Sequence, residues 1–328
     1  MRKIPSVIQT LYSELHQRLH WRETDTGSPY VLRQGDAKFV YVKRTIGART
    51  WAEYIGSEGA SDTVAKVTAI KAANDDRKER RHIVRALKTA GLPGPTIAMG
   101  RILEAIAAGG LFDPPKGLVL VGTTAFAAYA PLIGFVPDAH AIMTQDIDLA
   151  VIELAIAADR PNASIHSAFE RAGINMAPEG AFDPPARLVG GGLTVEFLTK
   201  LRRGGEGTVR ARGLGVSAQA LPYMDYLITD PIPVAILYLA GVLVRVPQPA
   251  RYAVHKLIIA NFRKRDDPAK RLKDLQQAAQ LIRGLHDSGQ GADVNDALAD
   301  AKGKARKLID ASLKAIDDMT PGAIALPR

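Results

Sequence analysis

Two aspartates, Asp146 and Asp148, stand one residue apart in the apolar segment MTQDIDLAVIE (143–153). On a β-strand, side chains two positions apart point to the same face, so both carboxylates project together while Ile147 and Leu149 face the core. Two carboxylates this close repel each other unless a cation compensates. Because Mg²⁺ prefers oxygen ligands, the pair predicts a metal platform.

The D-x-D triplet has other interpretations. It also occurs at solvated strand ends, in calcium loops and in metal-dependent glycosyltransferases. A calcium loop of the EF-hand type needs further oxygen ligands and a glycine where this segment has apolar residues, which disfavours calcium. The triplet alone does not distinguish a magnesium site from a solvated strand end or from the metal site of a glycosyltransferase.

A glycine–threonine turn between a strand and a helix is the second feature, in LVLVGTTAF (118–126). Gly122 permits close approach of the backbone to a ligand. The free N–H groups at the start of the helix, together with the hydroxyl of Thr123, predict a phosphate site. An ordinary capped turn is the alternative.

An acidic residue in the centre of a third apolar strand is the next feature, Glu196 in LTVEFLT (193–199). A charge at such a position needs a partner. On a strand beside Asp146 and Asp148, Glu196 becomes the third ligand of a metal cluster. The alternative is a salt bridge to a nearby arginine, such as Arg202.

Two charged residues on successive predicted helices complete the set. Lys256, in RYAVHKLIIA, is placed to neutralise a nucleotide phosphate from across the cleft. Asp274 follows on the next helix, in KRLKDLQQA. The alternative is that both residues lie on solvated helix faces.

The order of these motifs resembles the nucleotidyltransferase superfamily of the DNA polymerase β type. The chain is more closely similar to a bacterial nucleotidyltransferase family written around VLVGT-AF and TQDIDLA, which stand here at 118–126 and 144–150. Its later segments are also similar, and the HK…KD pattern resembles abortive-infection and toxin–antitoxin nucleotidyltransferases. These segments are VEFLT (195–199), VRVPQPARYAVHKLIIA (244–260) and KRLKDLQQAAQLI (270–282).

The chain departs from the superfamily pattern in two places. The turn reads Gly-Thr-Thr where Gly-Gly or Gly-Ser is commoner, but threonine keeps the hydroxyl. The interval from Thr123 to Asp146 is also longer, so FVPDAHAIM (135–143) must form an extra loop or strand.

The resemblance implies an Mg²⁺-dependent transfer of a nucleoside monophosphate from an NTP to an acceptor hydroxyl, releasing pyrophosphate. Asp146 and Asp148 are then expected to bind two Mg²⁺ ions, or Mn²⁺, and Glu196 to hold the catalytic ion. The expected nucleotide-binding residues are Gly122, Thr123, Thr124, Lys256 and Asp274.

The predicted fold class is α+β, with a polymerase-β-like nucleotidyltransferase palm of mixed sheet and helices. We expect an N-terminal β-hairpin and charged-helix region over 1–95, the palm over 96–248 and a C-terminal helical domain over 249–328. The hairpin turns at Gly35-Asp36, and a charged helix follows over 62–91, capped by Ser61 or Asp62.

Composition narrows the functional classes. The 328 residues include no cysteine, which excludes disulfides, thiolate zinc sites and cysteine nucleophiles and fits a cytoplasmic protein. With 43 Lys+Arg against 34 Asp+Glu, the net charge is +9, which favours a polyanionic partner. The uncharged segment 117–136 contains glycines and a proline, so we interpret it as strand, turn and helix, and expect no membrane partner.

We therefore predict a nucleotidyltransferase whose acceptor is RNA, such as tRNA, or protein, with toxin activity as one biological version. The basic segments 76–90 and 200–212 favour a polyanionic acceptor, although each also fits a solvated surface. A non-catalytic nucleic-acid or partner-binding protein that retains the fold is the alternative.

Overall fold

The N-terminal region combines two helices with a small antiparallel sheet. The computed structural model of the protein describes residues 1–20, 26–46, 49–113, 117–152, 164–201, 207–262 and 267–322. The elements of this region are β1 (Arg2–Lys3), α1 (Ser6–His20), β2 (Ser28–Gln34), β3 (Ala37–Ile46), β4 (Arg49–Ser57) and α2 (Ser61–Thr89). The predicted hairpin at Gly35-Asp36 is confirmed, and β4 adds a third antiparallel strand.

The central region alternates short strands and helices. Its elements are α3 (Ile97–Ala108), β5 (Leu118–Val121), α4 (Gly122–Ala128), α5 (Ala130–Ile133), β6 (Phe135–Val136), α6 (Ala139–Ile142), β7 (Asp146–Val151), α7 (Ile165–Ala172), β8 (Ala177–Glu179), β9 (Arg187–Gly190), β10 (Leu193–Lys200), β11 (Gly207–Ala211), a 3₁₀ turn (Arg212–Leu214), β12 (Val216–Leu221), α8 (Met224–Leu227), β13 (Ile232–Ile236) and β14 (Val242–Val246). The segment 117–136 thus begins with a strand followed by a helix, as predicted, and adds the short helix α5 and the strand β6.

A mixed sheet forms the centre of the fold. Its main path runs β11-β12-β10-β7-β5, and β9 joins β10 with β8 outside it. Strand β10 is parallel to both β7 and β12, whereas the other pairings are antiparallel. The α+β prediction is therefore confirmed as a mixed sheet with helices.

Among the described residues, the helices that follow the sheet are α9 (Pro249–Ile259), α10 (Pro268–Asp287), α11 (Gly291–Asp300) and α12 (Lys304–Met319). Their apolar side chains belong to the same core as the strands, since Leu257 and Leu281 are fully buried with Leu120 and Val195. Burial of this apolar surface is the main stabilising term and holds α9 and α10 in the same core as the sheet.

A second, smaller core joins α1 and α2 to the hairpin of β13 and β14. Tyr12 and Leu15 of α1 pack with Leu87 of α2 and with Leu237. The Tyr12 hydroxyl lies 3.3 Å from the carbonyl oxygen of Ala235 and 3.0 Å from its amide nitrogen. Strand β1 also pairs with β6, so the N-terminal region is attached directly to the extra segment that precedes Asp146.

The charge run of α2 anchors this helix as well as facing solvent. Arg80 is buried, and its guanidinium donates to the Ala240 carbonyl (2.8 Å) and to Asp76 (2.7 Å). Arg77 Nη2 lies 3.9 Å from Oε1 of Glu104 on α3. Two of the arginines in the predicted polyanion-binding run therefore have polar partners within the protein, and Arg80 is also buried.

The start of α2 differs from the prediction. Neither Ser61 nor Asp62 caps it, because Ala60 occupies the N-cap position and no side chain accepts from the first turn. The helix ends at Thr89, close to the predicted stop at Gly91. Among the described helices, none is both long and apolar enough to cross a membrane.

Candidate active site

The two aspartates open strand β7, with their side chains on one face. Asp146 is exposed and Asp148 half-buried, whereas Ile147 and Leu149 are fully buried, as the alternation predicts. In the parallel pairing of β7 and β10, Glu196 lies directly opposite Asp148. Because paired residues of adjacent strands share a face, the three carboxylates project from the same side of the sheet.

Glu196 is already paired with a cation. Arg187, directly opposite it on β9, places its Nε 2.9 Å from Glu196 Oε1 and its Nη1 2.8 Å from Glu179. From the sequence, we expected the partner of Glu196 to be a metal ion or an arginine such as Arg202. The arginine that pairs is Arg187, and Arg202 lies outside the described residues.

The carboxylates therefore do not converge on one point in this arrangement. Over the parts of the chain that the structure describes, no group of three or more acidic or histidine side chains is gathered closely enough to hold a metal ion. Asp146 and Asp148 supply the hard oxygen donors that Mg²⁺ prefers. The Glu196 carboxylate lies on the same face but is held by Arg187.

Gly122 lies directly against the Asp148 carboxylate. It follows β5 at a φ of +65°, and a Cβ added there would lie 1.9 Å from Asp148 Oδ2. Only glycine combines this backbone conformation with so close an approach. From the sequence, we expected Gly122 to bring the backbone near a ligand. In this structure, the group nearest to Gly122 on this side is the Asp148 side chain.

The two threonines after Gly122 are buried and hold the turn in place. The Thr124 hydroxyl donates to the Asp146 carbonyl (3.2 Å). The Thr123 hydroxyl accepts from Gln277 of α10 (3.4 Å). These hydroxyls link the start of α4 to β7 and α10, so the phosphate role predicted for Thr123 remains a prediction.

Tyr252 of α9 connects the glycine turn to the C-terminal helices. Its hydroxyl donates to the Gly122 carbonyl (2.8 Å) and lies 3.2 Å from Gln277 Oε1. Burial, with smaller contributions from Tyr129, Asp274 and Asp148, holds the Tyr252 pKa well above its ordinary value. The phenol is therefore a neutral positioning group, which sequence reasoning missed because an apolar helix predicts only a core residue here.

Lys256 and Asp274 form a buried ion pair between α9 and α10. Lys256 Nζ lies 2.6 Å from Asp274 Oδ1, and the residues are 7% and 3% exposed. The ammonium also lies 5.3 Å from the centroid of the Tyr252 ring. The alternative of solvated helix faces is therefore wrong for both residues.

Lys273 is a second cation near the aspartates, and sequence reasoning missed it. Its Nζ donates to the Met143 carbonyl (2.6 Å), in the segment that leads into β7. Burial and the neighbouring Lys256 lower the Lys273 pKa, against the opposing charges of Asp274, Asp146 and Asp148. The signal in the sequence was its position immediately before Asp274.

A cavity of about 750 Å³ opens beside Asp146. Thr124 and Lys273 line it on one side, and Tyr12, Pro95 and other mainly apolar residues line the rest. Ligand pockets of this size typically have apolar walls and a few placed polar groups. Residues of the N-terminal region and of the segment 93–96 between α2 and α3 thus form part of the wall.

A mixed sheet with paired acidic residues, a glycine turn and nearby lysines is an arrangement suited to binding a charged phosphate compound. Residues 98–303 match a protein-family model described as nucleotidyltransferase, which covers most of the chain and every candidate site residue. The chain belongs to this nucleotidyltransferase family and is therefore a transferase that uses an NTP. No curated protein and no solved structure matches the chain.

Proposed function

We propose that this protein transfers a nucleoside monophosphate from an NTP to an acceptor hydroxyl of RNA, such as tRNA, or of a protein, on a palm of the polymerase β type. The observation that carries the proposal is the shared face of Asp146, Asp148 and Glu196, on adjacent parallel strands beside the Gly122 turn. A glycosyltransferase would leave both the turn and Glu196 unexplained, and the family match favours nucleotidyl transfer.

Asp146 and Asp148 are the residues that would hold Mg²⁺, or Mn²⁺ in its place. Their oxygens are hard donors, and their mutual repulsion on one strand face favours a bound cation. Such an ion, when bound, withdraws charge from the phosphate oxygens and favours loss of the acceptor proton. Glu196 would join these ligands after its carboxylate separates from Arg187.

The reaction forms one bond and breaks one. The acceptor oxygen bonds to the α-phosphorus, the bond from that phosphorus to the bridging oxygen breaks, and pyrophosphate leaves with the electron pair. The proton of the acceptor hydroxyl passes to a base, for which Glu196 is the proposed residue. Catalysis by such a site rests mainly on positioning and electrostatic stabilisation.

Two lysines balance the charge of the triphosphate in this proposal. Lys273 is half-buried, lines the cavity and lies among the charges of Asp146 and Asp148. Lys256 is more deeply buried and is paired with Asp274, so its charge acts on the triphosphate at longer range. Lys273 is thus the cation with the more direct access to a bound phosphate.

The experiment is an incubation of the purified protein with Mg²⁺, each α-labelled NTP in turn, and total RNA or cell lysate. Label is expected in RNA or in a protein band with the wild type and not with Asp146→Asn or Asp148→Asn. Asp296→Asn, at an exposed position on α11, is the matched control and should retain incorporation. Undiminished incorporation by both site variants would contradict the assignment of the aspartates.

A further inference from the structure

The three-stranded sheet of β2, β3 and β4 has two unlike faces. One face packs on α2, since Val40 and Val42 are buried and a Cβ at Gly56 would meet Thr63 of that helix. The alternate positions of each strand point the other way, and nothing in the described chain covers them. We call this second side the open face.

Four aromatic rings form a continuous row across the open face. Tyr41 lies between Tyr30 and Tyr54, with ring centroids 5.9 Å and 5.4 Å away, and Phe39 lies 6.1 Å from Tyr54. Tyr30 is 41% exposed and Tyr54 is 53% exposed. Phe39 and Tyr41 are half-buried. A row of four aromatic rings on an uncovered sheet face, two of them exposed, indicates a binding surface.

The charge of the open face is suited to a polyanion. Lys43 is two positions beyond Tyr41 on the same face of β3 and is exposed. The other described strand positions on this face carry hydroxyl, amide or apolar side chains and no acidic residue. Glu53 belongs to the opposite face, where it pairs with Arg44.

We infer that the open face binds a single-stranded nucleic acid, whose bases stack on Tyr30, Tyr54 and their neighbours while Lys43 contacts a phosphate. Unpaired bases stack on exposed aromatic rings, and each stack contributes to affinity without requiring a defined sequence. The inference rests on the proposed function in one respect. Of the acceptors proposed above, RNA or a protein, it takes the nucleic acid as the one that the open face binds.

A second copy of the chain is a less suitable occupant. A symmetric dimer places the same face of each copy against the other, so its interface would hold two copies of Lys43 and no acidic side chain from this face to balance them. A nucleic acid has bases that can stack on the aromatic rings of this face and negative charge that can pair with Lys43.

The test is fluorescence anisotropy of a labelled oligouridine of about 12 nucleotides, a length that a stacking surface can cover, titrated with the full-length protein without NTP or metal. Tyr30→Ala and Tyr54→Ala should each weaken binding about tenfold, the scale of one lost base stack. Tyr54→Phe keeps the ring and should bind like the wild type. Lys43→Ala should reduce the dependence of affinity on salt.

Phe182→Ala is the matched control, because Phe182 is another ring with 57% exposure that lies outside the open face. Unchanged melting temperatures would show that the variants are folded. Asp146→Asn should bind the oligonucleotide normally while losing transfer, which separates this inference from the proposed function. Wild-type affinity in the Tyr30→Ala/Tyr54→Ala variant, absence of binding by the wild type, or a dimer that Tyr54→Ala dissociates would overturn it.

Discussion

Glu196 lies directly opposite Asp148 on the neighbouring parallel strand, yet its carboxylate is bonded to Arg187 on the far side. The arginine supplies the positive charge that a metal ion would supply next to Asp148. If Mg²⁺ binds at Asp146 and Asp148 as proposed, Arg187 competes with it for the Glu196 carboxylate.

The first prediction concerns Arg187→Gln. Removal of the guanidinium leaves Glu196 without this competing cation, so half-maximal activity should need about two- to fivefold less Mg²⁺, the scale of a partly exposed ion pair. The measurement is the transfer rate against Mg²⁺ concentration. Arg212→Gln removes an exposed arginine elsewhere and should leave the midpoint unchanged. A higher Mg²⁺ requirement in Arg187→Gln would show that the arginine positions Glu196 instead of competing for it.

The second prediction concerns Gly122→Ala. The substitution adds a Cβ 1.9 Å from Asp148 Oδ2 at a positive φ, so the aspartate must move and activity should fall at least about a hundredfold. Gly173→Ala is the matched control, because Gly173 has φ +61° with open space around its Cβ position. Each variant should lose about 1–2 kcal/mol of stability through backbone strain, and only Gly122→Ala should lose activity as well.

If Gly173→Ala and Gly122→Ala reduce the transfer rate equally, backbone strain alone accounts for the effect. The contact between Gly122 and Asp148 would then have no role in activity. Urea unfolding of both variants gives the stability, and the transfer assay gives the rate.

The elements that carry the site followed from sequence periodicity. The alternation around Asp146 and Asp148 correctly predicted a strand with both carboxylates on one face, and the Gly35-Asp36 turn correctly placed the first hairpin. These features are local, since a strand's period and a turn's glycine depend on a few neighbouring residues.

The partners of the charged residues did not follow from the sequence. Arg187 meets Glu196 only because β9 pairs with β10 in one register, and a register is a long-range property that local patterns leave undetermined. The burial of Lys256 and Asp274 likewise depends on how α9 packs on α10. The charged residues on each helix gave no sign that they would meet inside the protein.

The third prediction concerns this buried pair. Lys256→Met leaves Asp274 buried without its ammonium partner, so the free energy of unfolding should fall by about 3–5 kcal/mol. The double variant Lys256→Met/Asp274→Leu removes both charges and should recover most of that loss. Urea denaturation at neutral pH measures both values.

The double variant also separates structure from function. If it is stable but transfers slowly, the Lys256 charge contributes to nucleotide binding as proposed. If the single and double variants lose the same stability, the loss does not come from the buried, unpaired charge of Asp274, in contradiction to the prediction.

The fourth prediction concerns pH and the contact between α1 and β13. His16 Nε2 lies 3.1 Å from the Pro233 carbonyl oxygen, so the nitrogen donates to it. Burial, with a smaller contribution from His20, lowers the His16 pKa below its ordinary value of 6.5 despite the opposing hydrogen bond to Pro233. Between the lowered value and 6.5, the unfolded chain binds more protons at this position than the folded chain.

The free energy of unfolding should therefore fall as the pH drops through that window, and part of the fall should come from His16. His16→Gln keeps a donor without a titrating group, so its stability should decline less between about pH 7.5 and about pH 5.5, the range in which histidine titrates. His82→Gln, at an exposed position on α2, should retain the wild-type decline. Urea denaturation across this range measures the slopes, and identical slopes for His16→Gln and the wild type would show that the half-buried imidazole does not limit stability in acid.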